Sequence, residues 1–251
     1  AVRQRRVDGD RAVTPEEEVE RRRLFEAEAK RLREALPYER PVEGTHYWVK
    51  DGILQGAKAV ARRCFQHADW QLGFPYRQEF WPGKRFQGAL DRAELAGVED
   101  WVRSVLGCKS LEQRQVEGGG TLSHNFAQLV GEQESGPRPH TDSRALCTHA
   151  AVIYLQPRVP EGLGGTSFYR LQLPDGTLGG NVCPPPHTHL TTALNVKKLP
   201  LQAWKLDVEV PNAFNRILLY RSDLVHSASS YFGVADREKR LTALFFWWAN
   251  F

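Results

Sequence analysis

The 251-residue chain has no methionine, only four cysteines and no apolar run approaching the ~20 residues that span a bilayer. Without methionine, Ala1 is not an initiator, and the chain is expected to be trimmed or processed. Cys64, Cys108, Cys147 and Cys183 stand far apart with no C-x-x-C pair. They read as free core thiols rather than disulfide staples, which favours the cytoplasm or another reducing compartment. An excess of one charge is also missing: 34 Lys+Arg against 30 Asp+Glu leaves +4, spread along the chain. That excludes a strong nucleic-acid footprint, and neither a membrane nor an obligatory protein partner is expected. No internal repeat is visible.

What is present suits a folded protein. A hydrophobic content of 41% supports a sizeable core and excludes wholesale disorder. Residues 1–13 are charged and patternless and read as a flexible arm. Thr14-Pro15-Glu16-Glu17 then carries a helix start, with Thr14 as cap, Pro15 at the first helical position and Glu17 closing a capping box. Phe25, Ala29, Leu32 and Leu36 form one apolar stripe on this Arg/Glu-rich helix, as expected of a surface helix laid over the main fold. A second helix is predicted to open at Asp51-Gly52, with Leu54, Val60, Ala61, Cys64 and Phe65 on its apolar turns. A third is predicted from Asp91 to Leu106, stopping at Gly107. An aromatic, proline-bearing passage, Phe74 to Gly83, lies between them. Residues 14–110 thus read as a helical buttress with structured loops, in one domain with the C-terminal part of the chain.

Past Gly118-Gly119-Gly120 the character changes. Short runs rich in Val, Ile, Leu, Phe and Tyr follow: Leu122–Val130, Cys147–Leu155, Thr166–Leu173, Arg216–Tyr220 and Leu241–Trp248. Gly/Pro turns separate them, including Gly162–Gly165 and Pro184-Pro185-Pro186. This pattern predicts a β-sandwich or closed double sheet over residues 111–251, a mainly β fold with α-helices, rather than a parallel βαβ fold.

One cluster carries chemistry. In an extended segment His140-Thr141-Asp142 points an imidazole and a carboxylate to the same side. His226 follows the apolar run Ile217–Tyr220. Two histidines and a carboxylate occupy one face of an octahedral metal and leave three positions open, a set suited to non-haem Fe(II). Taken singly, either histidine also suits a structural role, and Arg240 suits one half of an ion pair. Arg240-Leu241-Thr242 opens the last strand, where a period of two puts Arg240 and Thr242 on one face with Leu244 and Phe246. A fixed cation and a hydroxyl among apolar side chains can hold a carboxylate, and an arginine buried there without an anion would be costly.

By these ordered motifs residues 122–248 resemble the Fe(II)/2-oxoglutarate-dependent oxygenases, in particular the small members of the prolyl-hydroxylase-like branch. The resemblance implies a double-stranded β-helix (jelly-roll, cupin-like) with the N-terminal helices packed on it. It implies Fe(II) on His140, Asp142 and His226, 2-oxoglutarate held through its distal carboxylate by Arg240 and Thr242, and O2 as co-substrate. No catalytic side chain beyond the iron ligands is implied. Tyr154, in Ala151–Leu155, matches a tyrosine of that branch that touches the same carboxylate, and Gly164-Gly165-Thr166 resembles its turn into the next strand. Asp142 favours hydroxylation or a related oxidation over halogenation, for which related enzymes replace the carboxylate with a small residue.

Other residues carry weaker signals. Arg144, Asn125, Gln128 and Arg170, with Tyr169, are candidates for lining a substrate pocket. His149 has the opposite strand parity to Tyr154 and is expected to face away from the site. His187-Thr188-His189 reads as a polar loop near the barrel mouth; His46, His67 and His124 show no partner pattern. The Trp247-Trp248 pair reads as core. A small polar metabolite, such as an amino acid or natural-product intermediate, is the expected substrate. A peptidyl or protein side-chain hydroxylase is the alternative, and a non-catalytic cupin-like binding module a further one.

Overall fold

The computed structural model describes residues 14–72, 82–115, 124–196 and 199–251. The arm expected over 1–13, Gly118–Gly120, residues 122–123 of the first strand run and residues 74–81 of the aromatic passage lie outside these.

Helix α1 (Pro15–Ala35) begins on the predicted capping box: Thr14 Oγ1 accepts from the Glu17 N–H at 3.2 Å, and the Thr14 N–H donates to the Glu17 carboxylate at 2.8 Å. Ala29, Leu32 and Leu36 are buried, whereas Phe25 is 44% exposed. Only the second half of the helix therefore lies on the fold.

The second helix does not open at Asp51. Strand β1 (Tyr47–Asp51) runs to that residue, and the Asp51 carboxylate takes the Arg216 guanidinium at 2.6 and 2.9 Å. Gly52 turns the chain at a φ of +68°. The Ile53 and Leu54 N–H groups are then tethered to Asn215, so α2 (Ala57–Phe65) starts only at Ala57. Leu54, Val60, Ala61 and Cys64 are nevertheless buried as the stripe predicted. Beyond β2 (Gln71–Leu72) and β3 (Lys84–Gln87), helix α3 (Arg92–Leu106) is capped by Asp91 and ended by Gly107 at a φ of +65°, the predicted bounds. Strand β4 (Ser110–Glu112) follows. This half of the chain is thus not only helix and loop, because β1 and β3 both enter the main sheet. The short, polar sequence of β3 (Lys84-Arg85-Phe86-Gln87) carries no strand signal of its own, so its ladder is supplied by neighbours, whereas β1 opens with the strand formers Tyr47, Trp48 and Val49.

The remaining strands are β5 (Phe126–Val130), β6 (His149–Tyr154), β7 (Thr166–Leu171), β8 (Trp204–Val210), β9 (Arg216–Arg221), β10 (His226–Ala228) and β11 (Arg240–Asn250). Helix α4 (Leu190–Leu194) lies between β7 and β8. The main sheet has the order β1-β9-β6-β11-β5-β3-β2, with β4 on the end of β11. The small sheet has the order β10-β7-β8 and is extended by an antiparallel bridge from His226 to His140. From β5 onward the chain passes from main sheet to small sheet and back: β5, the His140 segment, β6, β7 and β8, β9, β10, β11. All these pairings are antiparallel. That winding is a double-stranded β-helix. Strands β8 and β10 are the two with no distinct apolar run to mark them.

Strand β11 shows how the sequence sorts its faces. Leu241, Ala243, Phe245 and Trp247 are buried in the outer cluster under α2 and α3, where Trp247 Nε1 donates to Glu99 at 3.2 Å. Burying side chains of this kind stabilises by roughly 1.5–3 kcal/mol each. Arg240 and Thr242 point the other way, into the space between the sheets. The Trp247 part of the tryptophan pair is core, 1% exposed, as expected. All four cysteines are buried free thiols. Among the described residues no helix is long and apolar enough to cross a membrane.

Candidate metal centre

The loop after β5 returns as an extended segment that bridges β10, with the His140 N–H donating to the His226 carbonyl at 3.0 Å and the reverse bond at 2.9 Å. This pairing is what sets residues so distant in sequence side by side. Their rings lie 4.6 Å apart, centroid to centroid. Asp142 is fixed from behind, its N–H donating to the Ser222 carbonyl at 3.0 Å. One carboxylate oxygen is 3.9 Å from His140 Nε2 and the other 3.6 Å from His226 Nε2. Ligand atoms of the three residues all lie within 4.8 Å of one another; they are the one such group among the described residues.

The donor set fits a metal ion on three counts. Each imidazole places Nδ1 on a backbone carbonyl, His140 on Arg138 at 2.7 Å and His226 on Leu224 at 2.8 Å. A carbonyl only accepts, so Nδ1 carries the proton and the Nε2 lone pairs face Asp142. Desolvation lowers the pKa of His226 to about 4, and it also lowers that of His140, where the neighbouring His226 adds to the effect. Both rings are therefore neutral ligands near pH 7. Burial raises Asp142 to about 6, opposed by His140, and its Oδ2 is buried with no hydrogen-bond partner among the described residues. A buried carboxylate oxygen left in that state calls for a cation.

Arg240 lies on the inner face of β11, 4% exposed. Its Nε donates to the Gly164 carbonyl at 2.7 Å. The guanidinium carbon is 5.5 Å from the Tyr154 ring centroid and 5.8 Å from that of Tyr231. No carboxylate of the described residues pairs with it within 4.0 Å. Thr242, directly opposite Tyr154 in register, is fully buried, and its Oγ1 has no partner among the described residues. The Tyr154 hydroxyl meets Thr166 Oγ1 at 2.8 Å. The three residues predicted to hold a carboxylate are thus together on one face. Between them and the metal ligands stands Tyr220, which no motif singled out. Its ring is 4.4 Å from that of His226, and burial together with the Asp142 charge holds its pKa well above the usual phenol value. Its parity with Leu218 on β9 was the available signal. Tyr231, in the loop before β11, had none.

The weaker candidates separate. Gln128 faces inward opposite Thr242 and donates to the Pro82 carbonyl at 3.2 Å. Asn125, at a φ of +54°, spends its side chain on the Leu90 backbone, accepting from N–H and donating to C=O at 2.8 Å each. The pairing of β7 with β8 skips Asp207 of β8 beside Phe168 and Tyr169, while the side chains of β7 alternate through it, Phe168 inward and Tyr169 to the opposite face. Tyr169 accordingly packs under α1 and α4, and Arg170 lies over Tyr38 with its Nε on the Gly179 carbonyl, so neither joins the centre. Arg144 lines a cavity beside Trp48 and His149. His149 is on the outer face, as its parity predicted, and His187 and His189 stand outside the metal cluster.

The chain belongs to a family of unknown function, DUF6445, whose profile matches residues 36–177, a span that includes His140 and Asp142 and ends before His226. No curated protein matches it. Among solved structures it is similar to a prolyl-4-hydroxylase of Pseudomonas putida, with 16% identity over 89% of this chain and 99% of that one and a TM-score of 0.44. It is also similar to a Trichoplax adhaerens prolyl hydroxylase in complex with a hypoxia inducible factor peptide fragment, at 13% identity, 94% of both chains and a TM-score of 0.48. A third is HygX from Streptomyces hygroscopicus with nickel, 2-oxoglutarate and hygromycin B bound, at 14% identity, 82% of this chain, 84% of that one and a TM-score of 0.48.

Proposed function

We propose that the protein is an Fe(II)- and 2-oxoglutarate-dependent oxygenase that hydroxylates, or otherwise oxidises, a C–H bond of a small polar metabolite such as an amino acid or natural-product intermediate. One observation carries the reading. A three-ligand face of two neutral imidazoles and a carboxylate shares its barrel interior with a buried arginine that has no carboxylate partner among the described residues.

His140, Asp142 and His226 would hold the iron, and their three-fold set leaves positions open for an exchangeable chelate. Arg240 would take the distal carboxylate of 2-oxoglutarate, with Thr242 Oγ1 as a second donor. Tyr154 becomes a third when its hydroxyl accepts from Thr166 and turns its own proton inward. Tyr220 and Phe168, whose rings lie 5.9 Å apart, keep the space between the sheets apolar and exclude water. With iron bound, the group supplies O2-dependent oxidation of the substrate coupled to decarboxylation of 2-oxoglutarate to succinate and CO2.

The test is anaerobic. Fe(II) and 2-oxoglutarate added to the metal-free protein should give the weak visible charge-transfer band of a chelate, and His140→Ala and Arg240→Ala should each lose it. A band would justify a substrate screen by succinate release. Folded protein with no band would leave a binding module in place of an oxygenase.

A further inference from the structure

At one end of the main sheet, against its outer face, the chain forms a cavity of about 430 Å³. Its position follows from register. Trp48 stands opposite Leu219, and Leu219 opposite Ala151, whose side chain belongs to the outer cluster. His149 stands opposite Arg221 and Trp247 on that same face. The walls are mostly flat and apolar: Trp48, Phe251 and Leu106, with the His149 ring 5.9 Å from Trp48 and 6.4 Å from Phe251, and Trp248, whose ring carries the Arg114 guanidinium at 3.2 Å.

The polar groups at the cavity are nearly all committed elsewhere. Arg221 is held by Asp223 at 3.1 and 2.8 Å and by Glu39 at 2.6 Å. Ser222 Oγ donates to the Cys147 carbonyl at 2.8 Å, and Thr148 Oγ1 accepts from the Ala249 N–H at 2.9 Å. Arg144 is different. Its guanidinium makes a long 3.4 Å contact to the His187 carbonyl and pairs with no carboxylate of the described residues within 4.0 Å. A guanidinium at the rim of an aromatic-walled cavity is a planar donor that matches a carboxylate. Indole and phenyl walls favour a flat ring, which stacks on them at little conformational cost.

We propose that this cavity binds a small aromatic carboxylate of one or two rings, with Arg144 taking the carboxylate and Trp48 the ring. The site is independent of the oxygenase reading, since none of these residues serves the metal or the 2-oxoglutarate carboxylate. It is nonetheless linked to the metal centre. Arg144 sits two residues after Asp142, on a turn closed by bonds from Leu146 and Cys147 N–H to the Ser143 carbonyl at 2.9 and 3.0 Å. A ligand drawing on Arg144 therefore bears on the segment that presents Asp142.

Saturation-transfer NMR on the full metal-free chain, with 2-naphthoate as probe and neutral 2-naphthamide beside it, tests this. Naphthoate should bind at least tenfold more tightly than the amide. Arg144→Gln should abolish that preference, Arg144→Lys should keep part of it, and Trp48→Leu should weaken both probes. An excess of 2-oxoglutarate should leave naphthoate bound. No naphthoate binding to the wild type, equal binding to folded Arg144→Gln, or displacement by 2-oxoglutarate would overturn the proposal.

Discussion

Arg240 Nε and the Gly164 carbonyl meet at 2.7 Å, and the same carbonyl accepts from Asn212 Nδ2 at 3.1 Å. Gly164 holds a φ of +73°, and a Cβ there would come within 2.5 Å of the Phe232 ring. The turn is therefore the acceptor's mould: only a residue without a side chain brings this carbonyl to the guanidinium. With Nε fixed and tyrosine rings nearby, the terminal nitrogens of Arg240 are oriented before any ligand arrives, which lowers the ordering cost of binding.

Arg240→Ala should weaken 2-oxoglutarate binding by on the order of 10²-fold or more, the cost of leaving a buried carboxylate without its cation. Mn(II) affinity should change little, because Arg240 touches none of the metal ligands. Calorimetric titrations of Mn(II), and of 2-oxoglutarate with Mn(II) present, separate the two; an equal loss of both would sink the assigned role.

Metal binding should depend on pH through Asp142. With its pKa raised to about 6 by burial, the carboxyl below that pH holds a proton the metal must displace. Mn(II) affinity should be flat from pH 7 upward and fall roughly tenfold per unit below about 6. His226, lowered to about 4, stays neutral through most of that range. Electron paramagnetic resonance of free Mn(II) from pH 5 to 8 reads the curve directly. Affinity independent of pH down to 5 would contradict it.

The metal-free protein should lose stability on mild acidification. Desolvation lowers His124, His140, His149 and His226 each to about 4 from an unperturbed 6.5. Their stability contribution is complete above pH 6.5, where folded and unfolded rings are both neutral. It drains away as pH falls toward 4, because only the unfolded chain takes up the protons. Asp142, raised to about 6, works in the opposite direction over the same window and offsets about one of the four. Urea unfolding in EDTA should therefore show stability falling with pH by about 1.4 kcal/mol per unit for each net proton. His149→Gln, which removes one titrating ring without touching the metal set, should flatten the slope.

The centre was legible because its residues announce themselves by order. His140-Thr141-Asp142 needs only extended backbone to align its side chains, and Arg240 and Thr242 need only the period of a strand. Strand β10, which carries His226, is three residues long and has no run of its own, so the bridge to His140 was invisible before folding. The early strands failed for a related reason: β1 ends in Lys50-Asp51, polar residues that read as a helix start, yet Asp51 is claimed by Arg216 across the sheet. Arg170 illustrates a third limit. It shares the parity of Phe168 on β7, yet it lies over Tyr38 with its Nε on the Gly179 carbonyl, and nothing local in Phe168-Tyr169-Arg170 encodes those distant partners.

Asn125 offers a test of structure against function at one position. Its side chain closes a two-bond clamp on Leu90, and its carbonyl takes the N–H groups of Gly88 and Ala89 at 2.7 and 3.0 Å. Its φ of +54° is one that asparagine tolerates better than alanine. Asn125→Ala loses two hydrogen bonds worth about 1 kcal/mol each and adds backbone strain of about 1 kcal/mol, for a total of about 3 kcal/mol. In a chain of this size that is a fall in Tm of about 6–12 °C. Asn125→Gly keeps the backbone conformation, loses the clamp alone and should fall by about two thirds as much. Neither variant should alter 2-oxoglutarate affinity at a temperature where both are folded. A variant with unchanged Tm and weakened ligand binding would return Asn125 to the site and show that the clamp on Leu90 is not its role.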